Sequence, residues 1–587
     1  MFRKPSRRTF LTTLGALTAT GVAGVSLADS DSTAEDGSID SIDWPRTGWA
    51  QFRAGPGRAG KVASESSPDE EYVTEAWRSE SGGAVSVDEP IVTDEAVFRP
   101  YIVDDKTFRG GVVAFEGDTG EERWRYLAPE YGADEPGIGR VTHAPATAEG
   151  ALYLTSEAGY TDSNVKYGGL HALDVETGEI EWQKTPNDYD NPSDAWVGTP
   201  LITNASLYVQ HLTNVGADPD QQEMVIEEID PISGEVKWRS DASYRVYPNV
   251  AVDQTIYGTA TYTDAKNELV AWNANDGSRR WTVVLEDGVN FIDSAAGTGS
   301  IYRSSGNQFR TGSRNRVVAH SIDDGGVQWE TVLTPEGEES ERFISAPAVA
   351  DGRIYVTTAL RADSSEQGVL STVYALDADS GEVVWSHDTS TELRGDPSVD
   401  DDTVYVGGGA LPKYTGETES GGRSPTVHAL TAADGSEQWS YLLREDSTDT
   451  KRASTPTLSN GFVYVGRLDE GSDQSDGVAA LEGSDVAPDA KNLPRSSDAP
   501  VARIVTDPED AERKDLDSGT TVVLDGTAST SDVETYEWQF GEGAPFDTTG
   551  ATTEVTLNFC GTLDVTLRVT GPDGRQSTDT VSLSTDG

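Results

Sequence analysis

Several chemically active side chains stand at matching places along this chain, at or just before Pro-x-Val triplets and their looser equivalents. They are Glu89, His143, Thr199, Tyr247, Asp293 and Asp396, with Arg394 and Arg452 close by. Ala346 and Thr455 hold the same place without adding charge. If these triplets open strands arranged about one axis, then acidic, basic and aromatic groups converge on a single opening, which suits a small ligand or a cation. The plainer alternative is a set of polar residues lining a hydrated channel. Other chemistry is sparse. His residues number 6, none at metal-ligand spacing, and no Ser-His-Asp, P-loop or zinc pattern occurs. Asp400-Asp401-Asp402 offers carboxylates to a cation but reads first as a solvated turn. No catalytic or metal-ligating residue is assigned.

The elements that must position these groups are set by an internal repeat. A small residue, a turn, a Gly and a Trp recur in Ala114–Trp124, Ala172–Trp182, Glu228–Trp238, Ala271–Trp281, Ala319–Trp329, Ala375–Trp385 and Ala429–Trp439, with Gly always four residues before Trp. The Gly supplies a positive φ at the end of a tight turn, and alternating residues on either side supply two strands of a hairpin. A Trp fixed in each outer strand can lie between neighbouring sheets, its indole N–H reaching a carbonyl next door. Between hairpins comes a second unit, as in Pro347-Ala348-Val349 with Ile354-Tyr355-Val356, or Pro397-Ser398-Val399 with Val404-Tyr405-Val406. Together these make four strands per unit, the size of a propeller blade. An eighth hairpin begins at Ala480-Leu481-Glu482-Gly483 but never reaches a Trp, whereas Val73–Arg78 carries Trp77 with no hairpin of its own. The Trp77 strand is therefore expected to complete the last blade and close the ring, which removes free sheet edges. Trp77, Trp124, Trp182, Trp238, Trp281, Trp329, Trp385 and Trp439 are the expected docking residues.

The pattern A-L-D-x-x-T/S-G-x-x-x-W resembles the docking repeat of PQQ-type propellers, a group that also includes non-catalytic scaffolds of the BamB type. Trp49-Ala50-Gln51-Phe52-Arg53-Ala54-Gly55-Pro56-Gly57-Arg58-Ala59-Gly60 looks like the W-x-x-F-R-G-x-x-x-R-x-G entry seen before such propellers. The resemblance implies an eight-bladed β-propeller over residues 44–483. For its enzyme members it also implies a quinone in the channel, a Ca²⁺ held by carboxylate and amide oxygens, an Asp base, a nearby Arg and a stacking Trp. The adjacent cysteines that cover the quinone in several members are lacking here, since Cys560 is the single Cys. Fold alone does not carry function. The expectation is a non-catalytic binding or scaffold module, with no cofactor, whose partner is a protein, a small molecule or a glycan. The alternative is a PQQ- and calcium-dependent dehydrogenase of alcohols or sugars.

After a linker at 484–499, residues 500–587 resemble a PKD domain, an immunoglobulin-like β-sandwich. Here Trp538-Gln539-Phe540-Gly541-Glu542-Gly543 stands for the family's W-D-F-G-D-G, with Trp538 and Phe540 read as core. The fold class is thus all-β, a propeller followed by a sandwich.

At the other end, Ser6-Arg7-Arg8-Thr9-Phe10-Leu11 and the weakly apolar run that follows resemble a twin-arginine export signal over 1–28, with an acidic linker at 29–43. A secreted protein without a membrane anchor is expected, monomeric, with Asn204 as its glycosylation candidate and Cys560 as a buried small side chain. Asp and Glu number 101 against 44 Lys and Arg, a net charge of −57 spread along all 587 residues. Phosphate backbones would be repelled, which excludes nucleic acid. The spread suits the solvating surface of an extreme halophile, because multimolar salt shortens the Debye length to about 3 Å and screens the self-repulsion.

Overall fold

The structure is a computed structural model. It describes residues 53–585 apart from loop segments, among them 130–136, 186–194, 214–222, 286–293, 306–313, 334–341, 361–369 and 412–422; residues 1–52 lie outside it. The export signal, Trp49, Asp293, Asn204 and Cys560 all fall outside the described residues.

The described chain is all-β, with no α-helix. Each Trp hairpin forms the two outer strands of an antiparallel sheet whose inner strands come from the preceding Pro-x-Val and Val-Tyr-Val units. In the Trp281 sheet these are Arg245–Val252, Thr255–Thr261, Asn267–Asn273 and Arg279–Leu285, paired in that order. The Trp182, Trp238 and Trp329 sheets repeat the plan, and the Trp385 and Trp439 sheets repeat it with a first strand split in two. That split falls at the pre-proline residues. In the Trp439 sheet Glu392–Leu393 and Ser398–Val399 both pair with Thr403–Ala410, and residues 394–397 bulge between them.

The register is constant. Trp124 faces Ala114, Trp182 faces Ala172, Trp281 faces Ala271 and Trp385 faces Ala375, each beside a one-residue irregularity. The last sheet reaches the same register with strands from opposite ends of the chain. Gln474–Ser484 pairs with Phe462–Asp469 on one side and with Tyr72–Val85 on the other, placing Trp77 opposite Ala480. Through Ala84 and Ile102 this sheet runs on into the Trp124 sheet, giving nine strands in one hydrogen-bonded set.

Neighbouring sheets are joined by the tryptophans. The Trp124 Nε1 donates to the Val175 carbonyl at 2.8 Å, and its ring covers Gly178, where a Cβ would lie 2.4 Å from a ring carbon. Trp77 does the same over Gly120, donating to the Gly117 carbonyl at 2.9 Å. The bond recurs from Trp182 to Pro231, Trp238 to Ala274, Trp281 to Ile322, Trp329 to Ala378 and Trp385 to Ala432. The hairpin Gly is therefore fixed twice, by its positive φ (71° at Gly178) and by the indole lying on it. An aromatic residue of the inner strand backs each indole, Phe98 behind Trp124 and a Tyr behind the others: Tyr464 lies 5.9 Å from Trp77 and its hydroxyl donates to the same Gly117 carbonyl. Trp439 packs on Tyr405; beyond it the seam is made instead by Tyr441, whose hydroxyl accepts from the Glu75 N–H, and by Arg78, which donates to the Arg444 carbonyl.

Residues 502–585 form two further sheets, Val505–Asp507 with Thr521–Asp525 and Thr552–Thr556, and a five-stranded one that includes Thr535–Phe540, Gly561–Thr570 and Gln576–Thr585. Trp538, Leu567, Val565 and Leu524 fill the core they share, and Phe540 packs on its edge.

Candidate functional site

The pre-proline residues are held in place by neighbouring sheets. The Asp396 carboxylate accepts the Ala346 N–H at 2.8 Å from the sheet before it, and its own N–H donates to Thr455 Oγ1 of the sheet after it at 2.9 Å. Ser398 Oγ reaches the Pro456 carbonyl across the same boundary. The bulge that carries Asp396 thus aims its side chain along the inner edge of three sheets.

Into this place comes Arg53, from the entry motif. It is fully buried. Its Nη2 donates to the Pro347 carbonyl at 2.5 Å, its Nε lies 3.9 Å from Asp396 Oδ2, and its backbone N–H donates to Glu89 Oε1 at 3.1 Å. Glu89 is itself buried, at 1 % exposure. Two of the predicted site residues, Glu89 and Asp396, are therefore brought together on one guanidinium-bearing residue. Arg53 and Ala54 hold positive φ values of 58° and 72°, a conformation that costs roughly 1 kcal/mol per residue outside Gly and persists only where the surroundings impose it.

The other predicted residues lie apart from this group. His143 is exposed, its Nδ1 3.0 Å from Thr142 Oγ1; Tyr247 is exposed; Thr199 is half-buried. Arg394 turns back on Glu392, with Nε to Oε1 at 2.7 Å, and Glu392 is also held by Arg423 at 2.9 Å. Arg452 is half-buried on the neighbouring strand Lys451–Ala453. Asp400 departs from the solvated-turn expectation. It is buried, its Oδ1 accepts the N–H groups of Asp402 and Thr403, and its Oδ2 accepts the hydroxyls of Ser67 and Tyr405. Asp401 and Asp402 remain exposed.

Two clusters were not singled out from the sequence, one running from buried Thr391 and His428 to exposed Glu437 and one wholly around buried Glu227. Thr391 Oγ1, His428 and Glu437 form a chain, with Oγ1 2.7 Å from Nε2 and Nδ1 2.7 Å from Oε2. The order matches nucleophile, base and acid. Yet Thr391 has no exposed surface, and the corresponding His171 makes a similar contact, Nε2 to Ser156 Oγ at 3.2 Å, in another sheet. A role in packing accounts for both. Burial alone drops the His171 pKa to about 4, outweighing its hydrogen bond with Gln183. The second cluster is Glu227, fully buried, which accepts from Trp196 Nε1 at 3.1 Å, lies 2.9 Å from His211 Nδ1 and takes Arg239 Nε at 2.8 Å. Burial works against the charge of Glu227, but the bonds and charges of His211, Trp196 and Arg239 hold its pKa below the usual carboxylate value. Only the recurrence of His just before the Ala of the hairpin, at 171 and 428, could have signalled the first cluster.

Radially equivalent sheets locked by one Trp each, with polar groups gathered at their inner edges, define a β-propeller of PQQ-like repeats. The chain belongs to the family described as outer membrane protein assembly factor BamB, PQQ_2, which matches residues 62–282, 265–371 and 369–513. It is 28 % identical over 224 residues to the outer membrane protein assembly factor BamB of Yersinia pestis, covering 35 % of this chain and 49 % of that protein. It is 25 % identical over 383 residues to a polyvinylalcohol dehydrogenase of a Pseudomonas species, covering 58 % of this chain and 52 % of that protein. The matches thus span about half the length of these two relatives. Among solved structures, the quinohemoprotein alcohol dehydrogenase of Comamonas testosteroni aligns with TM-score 0.49 and 13 % identity, over 76 % of this chain and 82 % of that one.

Proposed function

We propose that this protein is an exported, eight-bladed propeller that acts as a non-catalytic binding or scaffold module at or outside the cell surface, carrying a PKD-like sandwich behind it. Support for eight blades is the register that Trp77 and Ala480 share with the Trp hairpins. Support for export is the twin-arginine pattern at Arg7-Arg8, and for a salt-rich setting the net charge of −57. The likeness to proteins named as outer membrane assembly factors favours a protein partner.

The observation that carries the non-catalytic reading is Arg53. A calcium ion under a quinone would need the inner-edge carboxylates, and here that of Asp396 lies beside this buried guanidinium group while that of Glu89 accepts the Arg53 backbone N–H. Among the described residues no group of three or more His, Cys, Asp or Glu could hold a metal ion. The docking tryptophans all lie between sheets, so none of them is free to stack on a quinone at the axis. With Arg53 in place, these residues do not fit PQQ and Ca²⁺ at this mouth, and no reaction step is derived through them.

The second reading, a PQQ-dependent dehydrogenase, is favoured by the match to polyvinylalcohol dehydrogenase over 58 % of the chain. The two are separated by titrating the protein with PQQ and Ca²⁺ in high salt and following quinone fluorescence and dye reduction with a panel of alcohols. The scaffold reading expects no saturable quinone binding and no dye reduction. Stoichiometric binding with alcohol-dependent reduction would establish the dehydrogenase.

A further inference from the structure

We infer that the inner edge of the propeller contains a guanidinium site that the chain fills itself, and that Arg53 in this site latches the described residues between 53 and 67 across the sheets on either side of the ring seam. The inference rests on the ring reading for placing the site at an axial mouth; the contacts themselves do not depend on the number of blades.

The site is built. Its ligand is fully buried and comes with its own counter-ions, Asp396 beside Nε and Glu89 at the backbone N–H, plus the Pro347 carbonyl on Nη2. These partners come from separate sheets. Neither Nε nor Nη1 has a hydrogen-bond partner among the described residues, so the cavity holds a cation through charge and shape more than through a complete set of bonds. Gly60 closes over it: its N–H returns to the Arg53 carbonyl at 3.1 Å, and a Cβ there would lie 3.0 Å from the Pro397 carbonyl and 3.3 Å from Arg53 Nη2.

From this anchor the segment runs outward as a strap. The Ala59 carbonyl accepts the Val349 N–H at 2.7 Å, Gly60 and Val62 exchange bonds with Val399 at 2.8 and 2.9 Å, and the Ser66 carbonyl accepts the Gly461 N–H at 3.2 Å. Val349, Val399 and Gly461 belong to three successive sheets, and Glu89 extends the span to the sheet beyond the seam. A strap that bonds to one sheet alone would add a strand; one that bonds to several resists their separation. The edge where strands from the two chain ends meet is where such resistance is needed, since it lacks a covalent hairpin. The ligand class is an arginyl or alkylguanidinium cation, recognised by the Asp396 carboxylate and the Pro347 carbonyl, and a compact ammonium is a poorer match for the same fork.

The test uses the full chain in multimolar KCl. Arg53→Ala is expected to lower the melting temperature by about 5 °C through loss of the guanidinium contacts with Asp396 and the Pro347 carbonyl. Methylguanidinium at millimolar concentration should restore at least half of that loss. It should shift wild type and the Arg53→Ala/Asp396→Asn double variant by less than about 1 °C, as should methylammonium with the single variant. Equal stabilisation of wild type and Arg53→Ala, or no response of the single variant, overturns the inference. Should Arg53→Ala fail to refold, Asp396→Asn is read by trypsin cleavage after Arg58 and Lys61. Cleavage at least about tenfold faster than in wild type supports the latch, and an unchanged rate overturns it. Small-angle scattering of wild type reads the ring separately: an elongated particle contradicts the ring and leaves the methylguanidinium result to decide the site.

Discussion

Trp77 lies opposite Ala480 in an antiparallel ladder, in the same register that Trp124 keeps with Ala114 inside a single hairpin. Strands from the two ends of the propeller region thereby rebuild a unit that every other sheet makes from contiguous chain. The Trp77 indole then docks on the Gly117–Gly120 turn of the next sheet as the other tryptophans dock on theirs. Stability of the proposed ring rests on these repeated docks.

Gly178→Ala tests the dock. The new methyl group would sit 2.4 Å from the Trp124 ring at a φ of +71°, so the indole must leave its seat, at a cost of about 3 kcal/mol or more. Gly352 has nearly the same φ, +72°, with nothing within 4 Å of a Cβ, and Gly352→Ala should cost only about 1 kcal/mol. Denaturant unfolding in high salt gives both values, and equal losses would mean that the indole contact adds nothing.

Stability should fall with acid through His171. Its pKa drops from 6.5 to about 4 on burial, so the unfolded chain binds the proton more readily than the folded one. The contribution is therefore complete above about pH 6.5 and lost as pH falls toward about 4, amounting to roughly 3 kcal/mol. His171→Gln should flatten the stability curve by that amount in this window, measured by unfolding at a series of pH values. Parallel curves for variant and wild type would contradict the assignment.

Salt should hold the fold together. With −57 charges on 587 residues, lowering KCl from about 3 M to about 0.1 M lengthens the Debye length from below 3 Å to about 10 Å and exposes the self-repulsion of the surface. The circular dichroism melting temperature is expected to drop steeply over that range. An unchanged melt would remove the case for a halophilic surface.

Much of this architecture is legible in the chain because rare residues recur at a fixed spacing. Trp and Gly four residues apart read as a hairpin, and Trp77 without a hairpin reads as the partner of a hairpin without a Trp. What stays hidden is whatever joins separate repeats. Gly178 reads as a turn residue, whereas half of its constraint comes from Trp124 in another unit. Arg53 stands in plain view in the entry motif, but its partners Glu89 and Pro347 are 36 and 294 positions away, and no local pattern links them. Asp400 looks like one of three solvated carboxylates until the fold brings Ser67 to it. Glu89 and Asp396 read as candidate ligands for something outside the chain; the residue that meets them belongs to the chain.

Ring closure by the Trp77 strand is the central claim, and a cross-link measures it directly. Thr74 and Glu482 are exposed and face each other in the closing ladder, a spacing that suits a disulfide. In a Cys560→Ser background, Thr74→Cys with Glu482→Cys is predicted to oxidise within the monomer, giving a reducible mobility shift and a higher melting temperature. Thiols that stay free, or that cross-link only between chains, would contradict the closed ring.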